Sequence, residues 1–246
     1  MIISDTQVDY MSLKKFFGWA KTRPFDHILI VTYGRSGSTL LMGLLNSDAD
    51  CVIRGENNNY IYYLFQAWRQ MEKAKSCHSN ATKNSLTSPW WGVDDMDPEA
   101  FRESLGPLVR NSLMAGLKES PAVLGFKEIR YLQALREGVL EEYLAFLARL
   151  LPNTALVFNY RKVSEVIASK WWAQQSDSGQ AESMLLMKEF ERIGNAYCVD
   201  HPQSAFQIHY EAVCRNDEEL CALFNFLGLN YNSDAIIKLL NLKHSY

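Results

Sequence analysis

Apolar residues along this chain fall into two rhythms, short unbroken runs and longer stretches that return to an apolar position every three or four residues. Residues 27–33 (HILIVTY) form a nearly continuous run rich in β-branched side chains, the pattern of a strand buried on both faces. Residues 122–127 (AVLGFK), 155–160 (ALVFNY) and 205–209 (AFQIH) predict three more strands. Between them, Val139, Leu140, Tyr143, Leu144, Leu147 and Leu151 recur at helical spacing over 137–151 until Pro152 ends the pattern. Helices are also expected over 38–46, 60–75, 163–172 and 181–197. A last one starts after Asn216 as N-cap, with Glu219 three residues on and Gly228 as terminator. Residues 76–97 are polar and expected to be irregular. This alternation predicts an α/β fold, a doubly wound, mainly parallel sheet with helices on both faces. With no repeat, low-complexity tract or linker, residues 1–246 read as one domain.

Composition narrows the function classes. The chain is 48% hydrophobic and 22% charged with a net charge of −3, a poor match to a general binder of nucleic acid or anionic membrane. A local basic pocket remains compatible with that balance. Five scattered cysteines without a CxxC pair predict neither a zinc site nor a disulfide framework, and point to a reducing, cytoplasmic setting. The segment MIISDTQVDYMSLKK lacks the basic and apolar regions of a secretory leader, and no run of about 20 apolar residues predicts a membrane span.

In an open parallel sheet, ligands gather at the carboxyl ends of the strands. The turn after the first strand reads Tyr33-Gly34-Arg35-Ser36-Gly37-Ser38-Thr39-Leu40-Leu41. Its glycines allow backbone amides to turn inward, its hydroxyls add donors, and Arg35 supplies a positive charge. The helix opening near Ser38 contributes the positive end of its dipole. This is a loop for a phosphate-like anion. It is not a nucleoside-triphosphate loop of the GxxxxGK[ST] form, because Ser38 stands where the lysine would follow Gly37. No predicted strand ends in an acidic metal ligand. A serine-hydrolase elbow fails too, since Ser38 occupies the place of its second glycine.

Arg35-Ser36-Gly37-Ser38-Thr39-Leu40-Leu41 resembles the 5′-phosphosulfate loop of sulfotransferases. A second segment agrees: Arg161, at the end of a strand, is followed eight residues later by Ser169, as in the family's 3′-phosphate site. A guanidinium with a hydroxyl is a natural phosphate clamp. Lys127 ends the intervening strand where relatives carry a lysine that contacts the transferred group. Tyr210, in His209-Tyr210-Glu211, matches a tyrosine that lies beside the nucleotide. The resemblance spans residues 28–229 and implies a three-layer sandwich related to P-loop NTPases. It implies transfer of a sulfuryl group from 3′-phosphoadenosine 5′-phosphosulfate, without a metal, to a small-molecule or carbohydrate hydroxyl. The competing readings are a P-loop-like kinase or nucleotide hydrolase, and a noncatalytic nucleotide-binding module.

The match has gaps. The tryptophan that many cytosolic members place after the loop is Leu40 here, and their C-terminal Arg-Lys-Gly segment is missing; Lys238, Lys243 and His244 are the basic residues near the end. Their base histidine, two residues after the strand lysine, is Ile129. These departures suggest the bacterial, carbohydrate or tyrosylprotein branch, and tyrosylprotein and some bacterial members place a base glutamate after the first helix. Glu56 is the corresponding residue, with Glu128 and His78 as alternatives. Arg35 and Lys127 are expected to meet charge on the leaving phosphate. Tyr60, Tyr63, Trp68, Trp90, Trp91, Trp171 and Trp172 are candidate acceptor-pocket residues, with 76–97 as a lid.

Overall fold

The computed structural model describes residues 23–79 and 85–242. The expectations for the N-terminal segment and for Lys243 and His244 lie outside them. Five strands, β1 (His27–Val31), β2 (Cys51–Arg54), β3 (Val123–Glu128), β4 (Thr154–Tyr160) and β5 (Ala205–His209), form one sheet. Their order is β2-β3-β1-β4-β5, and every neighbouring pair is parallel. Central β1 pairs with β3 on one side and β4 on the other, so its carboxyl end marks the point where the strand order reverses.

Both faces of β1 are apolar, and that dictates three layers. Its side chains alternate: Leu29 and Val31 join a core built with helices α2 (Tyr60–His78), α3 (Pro98–Met114), α5 (Leu140–Leu150) and α8 (Asp177–Asp200). Ile28 and Ile30 face the other core, with α1 (Ser38–Leu45), α10 (Glu218–Leu227) and α11 (Ser233–Leu240). Short helices α4 (Tyr131–Arg136), α6 (Val163–Ile167), α7 (Lys170–Ala173) and α9 (Tyr210–Arg215) follow strands β3, β4 and β5 at their carboxyl ends. Among the described residues, no helix is long and apolar enough to cross a membrane.

Several local expectations need correction. The helix expected over 163–172 is two short ones. Ser169 is extended and Lys170 has φ 42°, which breaks the ladder between α6 and α7. Asp217, not Asn216, caps α10: its carboxylate accepts the Glu219 amide, while left-handed Asn216 closes α9. Helix α8 begins four residues before its predicted start, where the Ser176 hydroxyl accepts the Gly179 amide. Helix α2 runs to His78, beyond the predicted 75. Strand β3 extends one residue beyond the prediction to include Glu128, so a strand does end in a carboxylate. That carboxylate is turned to backbone amides, as described below.

The entry to β1 is pinned to the rest of the sheet by one buried acid. Asp48 accepts two guanidinium nitrogens of Arg23, each at 2.9 Å. It also accepts the Asp50 amide at 2.9 Å and the Asn230 amide at 2.7 Å. Burial opposes its charge, but the bonds from Arg23, Asn230 and Asp50 outweigh it and hold the carboxyl below its ordinary range. Replacing Asp48 by Asn should therefore cost about 3 kcal/mol near neutral pH. A depressed folded-state titration gives stability that is complete above the unfolded pKa and fades as pH falls through the folded one. Urea denaturation of both proteins should show the gap closing in acid; a gap independent of pH would contradict this account.

Candidate active site

Each of the five strands delivers a polar residue to one rim of the sheet. Between β1 and α1 the chain turns through two left-handed residues, Arg35 at φ 71° and Gly37 at φ 80°. Gly37 must be glycine twice over, because a Cβ there would also overlap the Tyr210 ring. Below the loop, the buried Thr32 hydroxyl bonds the Asn159 carbonyl at 2.6 Å and the Ser36 hydroxyl at 2.7 Å. The Asn159 side-chain amide donates to the Ser36 carbonyl at 3.0 Å. Ser36 is thus a foundation stone of the loop, its hydroxyl engaged underneath. Among the described residues no side chain caps the N-terminus of α1, and Ser38 and Thr39 of its first turn border an open space.

That space is a cleft of about 340 Å³ walled by loop residues Gly34, Arg35, Gly37, Ser38, Thr39 and Leu40 together with Glu56, Lys127, Arg161 and Tyr210. On its floor, Lys127 Nζ donates to Glu56 Oε1 at 2.6 Å. The lysine side chain is only 5% exposed and the glutamate 37%, so the carboxylate is the more accessible partner. The two come from different strands, β3 and the segment after β2.

Glu128 sets the position of that second segment. It is buried, and its Oε2 accepts the Asn57 amide at 3.2 Å and the Asn59 amide at 2.9 Å. Its Oε1 accepts the Ile129 amide at 2.7 Å and lies 3.3 Å from the Arg130 guanidinium. Those bonds hold the turn carrying Glu56, with Asn58 and Asn59 both at positive φ. Of the three base candidates, then, Glu56 lines the cleft and Glu128 is committed to backbone. His78 stacks on Trp90 with ring centroids 3.5 Å apart and is not in the wall.

On the opposite wall, the Arg161 guanidinium lies 4.5 Å from the Tyr210 ring centroid and donates to the Arg35 carbonyl at 3.3 Å. Glu165 holds it from behind at 3.1 Å. Tyr33 ties the ends of β1 and β4 together: its hydroxyl bonds the Arg161 carbonyl at 3.0 Å and Glu191 at 2.7 Å. Ser169 does not share the wall. It is the extended residue between α6 and α7, with its hydroxyl donating back to the Val166 carbonyl at 2.7 Å. The break after it brings in two tryptophans: Trp172 donates to the Gly34 carbonyl at 3.1 Å, and Trp171 packs on Gly34, where a Cβ would come within 2.6 Å of it. Of the aromatic candidates for an acceptor pocket, Trp171 reaches this cleft, whereas Trp68 is buried in the core.

An all-parallel five-stranded sheet with helices on both faces, and a glycine- and hydroxyl-rich turn at its reversal point, defines an open α/β fold. The model of the sulfotransferase family matches residues 27–233, and the chain belongs to that family. Among solved structures it is similar to the sulfotransferase domain of the Synechococcus PCC 7002 olefin synthase. That match has TM-score 0.52 at 15% identity, over 90% of this chain and 78% of the other. The sulfotransferase domain from the curacin biosynthetic pathway gives TM-score 0.50 at 18% identity, over 85% and 75%. At such identities the likeness is one of fold. No match was found among curated proteins.

Sequence reasoning missed the service of Glu128, whose signal was a charge at the end of an otherwise apolar strand. Glu128→Gln leaves buried amides with poorer acceptors and should cost roughly 1–3 kcal/mol. Hydrogen exchange should accelerate at the Asn57 and Asn59 amides; unchanged protection there would show that the turn holds without it.

Proposed function

We propose that the chain transfers a sulfuryl group from 3′-phosphoadenosine 5′-phosphosulfate to a hydroxyl of a small-molecule or carbohydrate acceptor, with Glu56 as base. The observation that carries this reading is the Lys127–Glu56 pair, 2.6 Å apart, in the same cleft wall as the phosphate loop. One cationic and one basic group are what an in-line transfer needs. As the acceptor oxygen bonds to sulfur, the bond from sulfur to the bridging oxygen breaks, and negative charge collects on the departing phosphate. Lys127, Arg35 and the loop amides, including those at Ser36, Gly37, Ser38 and Thr39, are suited to that charge. Glu56 takes the hydroxyl proton. Arg161 and Tyr210 hold the nucleotide's other phosphate and base region, with Leu40 beside them.

Donor recognition is testable without an acceptor. 3′-Phosphoadenosine 5′-phosphate should raise the melting temperature well above any effect of ATP with magnesium, since a ligand stabilises by its affinity for the folded state. Equal stabilisation by magnesium-ATP would favour the kinase reading instead. Arg161→Ala should weaken that nucleotide in calorimetry, with a smaller effect on turnover at saturating donor. Unchanged affinity would remove Arg161 from the site.

The reacting pair has its own signature. Glu56→Gln keeps the shape but cannot accept a proton, and should lower turnover by roughly 10²-fold while nucleotide binding persists. Lys127→Ala should lower it by about 10²–10³. Near-normal turnover in both variants would leave the pair as a structural ion pair.

A further inference from the structure

A second cleft of about 550 Å³ adjoins the first, and Gly34, Ile129 and Trp171 belong to the walls of both. Its chemistry is different. Leu132, Ile129 and the two tryptophans of α7 give it apolar surface, while Arg130 and Arg136 bring two guanidinium groups to its wall and, among the described residues, no acidic one lines it. The first of these arginines has Glu128 at 3.3 Å, but that carboxylate is buried and already accepts three backbone amides. The other has Glu182 at 3.7 Å, and both of those side chains are at least half exposed. Gln133, between them, is engaged with Asn59 and Glu137. The volume suits a small molecule, and an apolar pocket with a few polar groups is the usual form of a ligand site.

We infer that this second cleft receives the acceptor, and that the acceptor carries an anionic group, a carboxylate or a phosphate, on an apolar body. This rests on the sulfuryl-transfer reading of the adjoining cleft and adds the acceptor's class to it. Bound with its hydroxyl toward Ile129 and the Lys127–Glu56 pair, such a molecule sets its anion against Arg130 and Arg136 at the other end. Arginine's planar fork is matched to both anions. The apolar body lies along Trp171 and Leu132. A neutral acceptor of the same length leaves the guanidinium groups without an added partner and gains nothing from them.

The test uses the full chain saturated with 3′-phosphoadenosine 5′-phosphate, whose own binding is measured first. Three probes that share an eight-carbon chain are then titrated by calorimetry: ω-hydroxyoctanoate, ω-hydroxyoctyl phosphate and octanediol. At least one anion should bind about tenfold or more tightly than the diol, the worth of one charge-assisted hydrogen bond. Its identity distinguishes carboxylate from phosphate. Arg136→Gln, and separately Arg130→Gln, should shrink that advantage without changing affinity for the nucleotide. A diol that binds as well as both anions, or no saturable anion binding up to millimolar concentration, overturns the inference. So does an anion preference that survives both substitutions. Failure of the nucleotide itself to bind is a different result, and it removes the underlying sulfuryl-transfer reading.

Discussion

A parallel sheet brings the carboxyl ends of all its strands to one rim, and every polar residue of the cleft depends on that constraint. Lys127 is the penultimate residue of β3, while Arg161 and Tyr210 directly follow β4 and β5. Glu56 comes two residues after β2, and the glycine- and hydroxyl-rich turn rises from β1. None of these residues is near the others in sequence except within the turn itself. The register of the sheet makes them neighbours. Because β1 lies between β3 and β4, its turn receives lysine from one side and arginine from the other.

Charged and polar groups at such a rim are costly unless satisfied, and the structure answers that cost with shared bonds. Thr32, Ser36 and Asn159 form a buried triangle that joins the β1 turn to the end of β4. Tyr33 makes a second tie between the same strands through the Arg161 carbonyl. On the other side, Glu128 fastens the segment after β2 to the end of β3. Groups that face the cleft are thus oriented by groups that do not. The Lys127–Glu56 contact is short because both partners come from anchored backbone, and neither is at the end of a free loop.

Much of this was legible in the sequence. The four strands whose runs are longest and most β-branched were found, and the cluster of Gly, Arg, Ser and Thr marked the turn after β1. Strand β2 escaped because CVIR is four residues long and only half buried, so neither its length nor its pattern stands out. Helix α3 was not predicted, and Gly106 and Pro107, both unfavourable in a helix interior, lie inside it. Glu56 was picked out by its place after the first helix. Its pairing with Lys127, 71 residues away, is tertiary and has no local signal. Ser169 shows the converse. Its spacing from Arg161 fits one continuous helix, but the chain breaks there and Trp171 takes a place in the wall.

The outermost strand on the β2 side has a further consequence. A sheet's last strand offers unpaired backbone groups to any chain that can lie alongside, which makes a long, flat, apolar one a template for aggregation. Here that position falls to the shortest strand of the five, and its final residue is Arg54. The guanidinium folds over to the carbonyls of Leu113 at 2.9 Å and Ala115 at 2.5 Å, in the last turn and C-cap of α3. A charged, four-residue border held down by the end of a neighbouring helix gives a second molecule little to extend, so a fold with two open margins carries protection against self-association on this one.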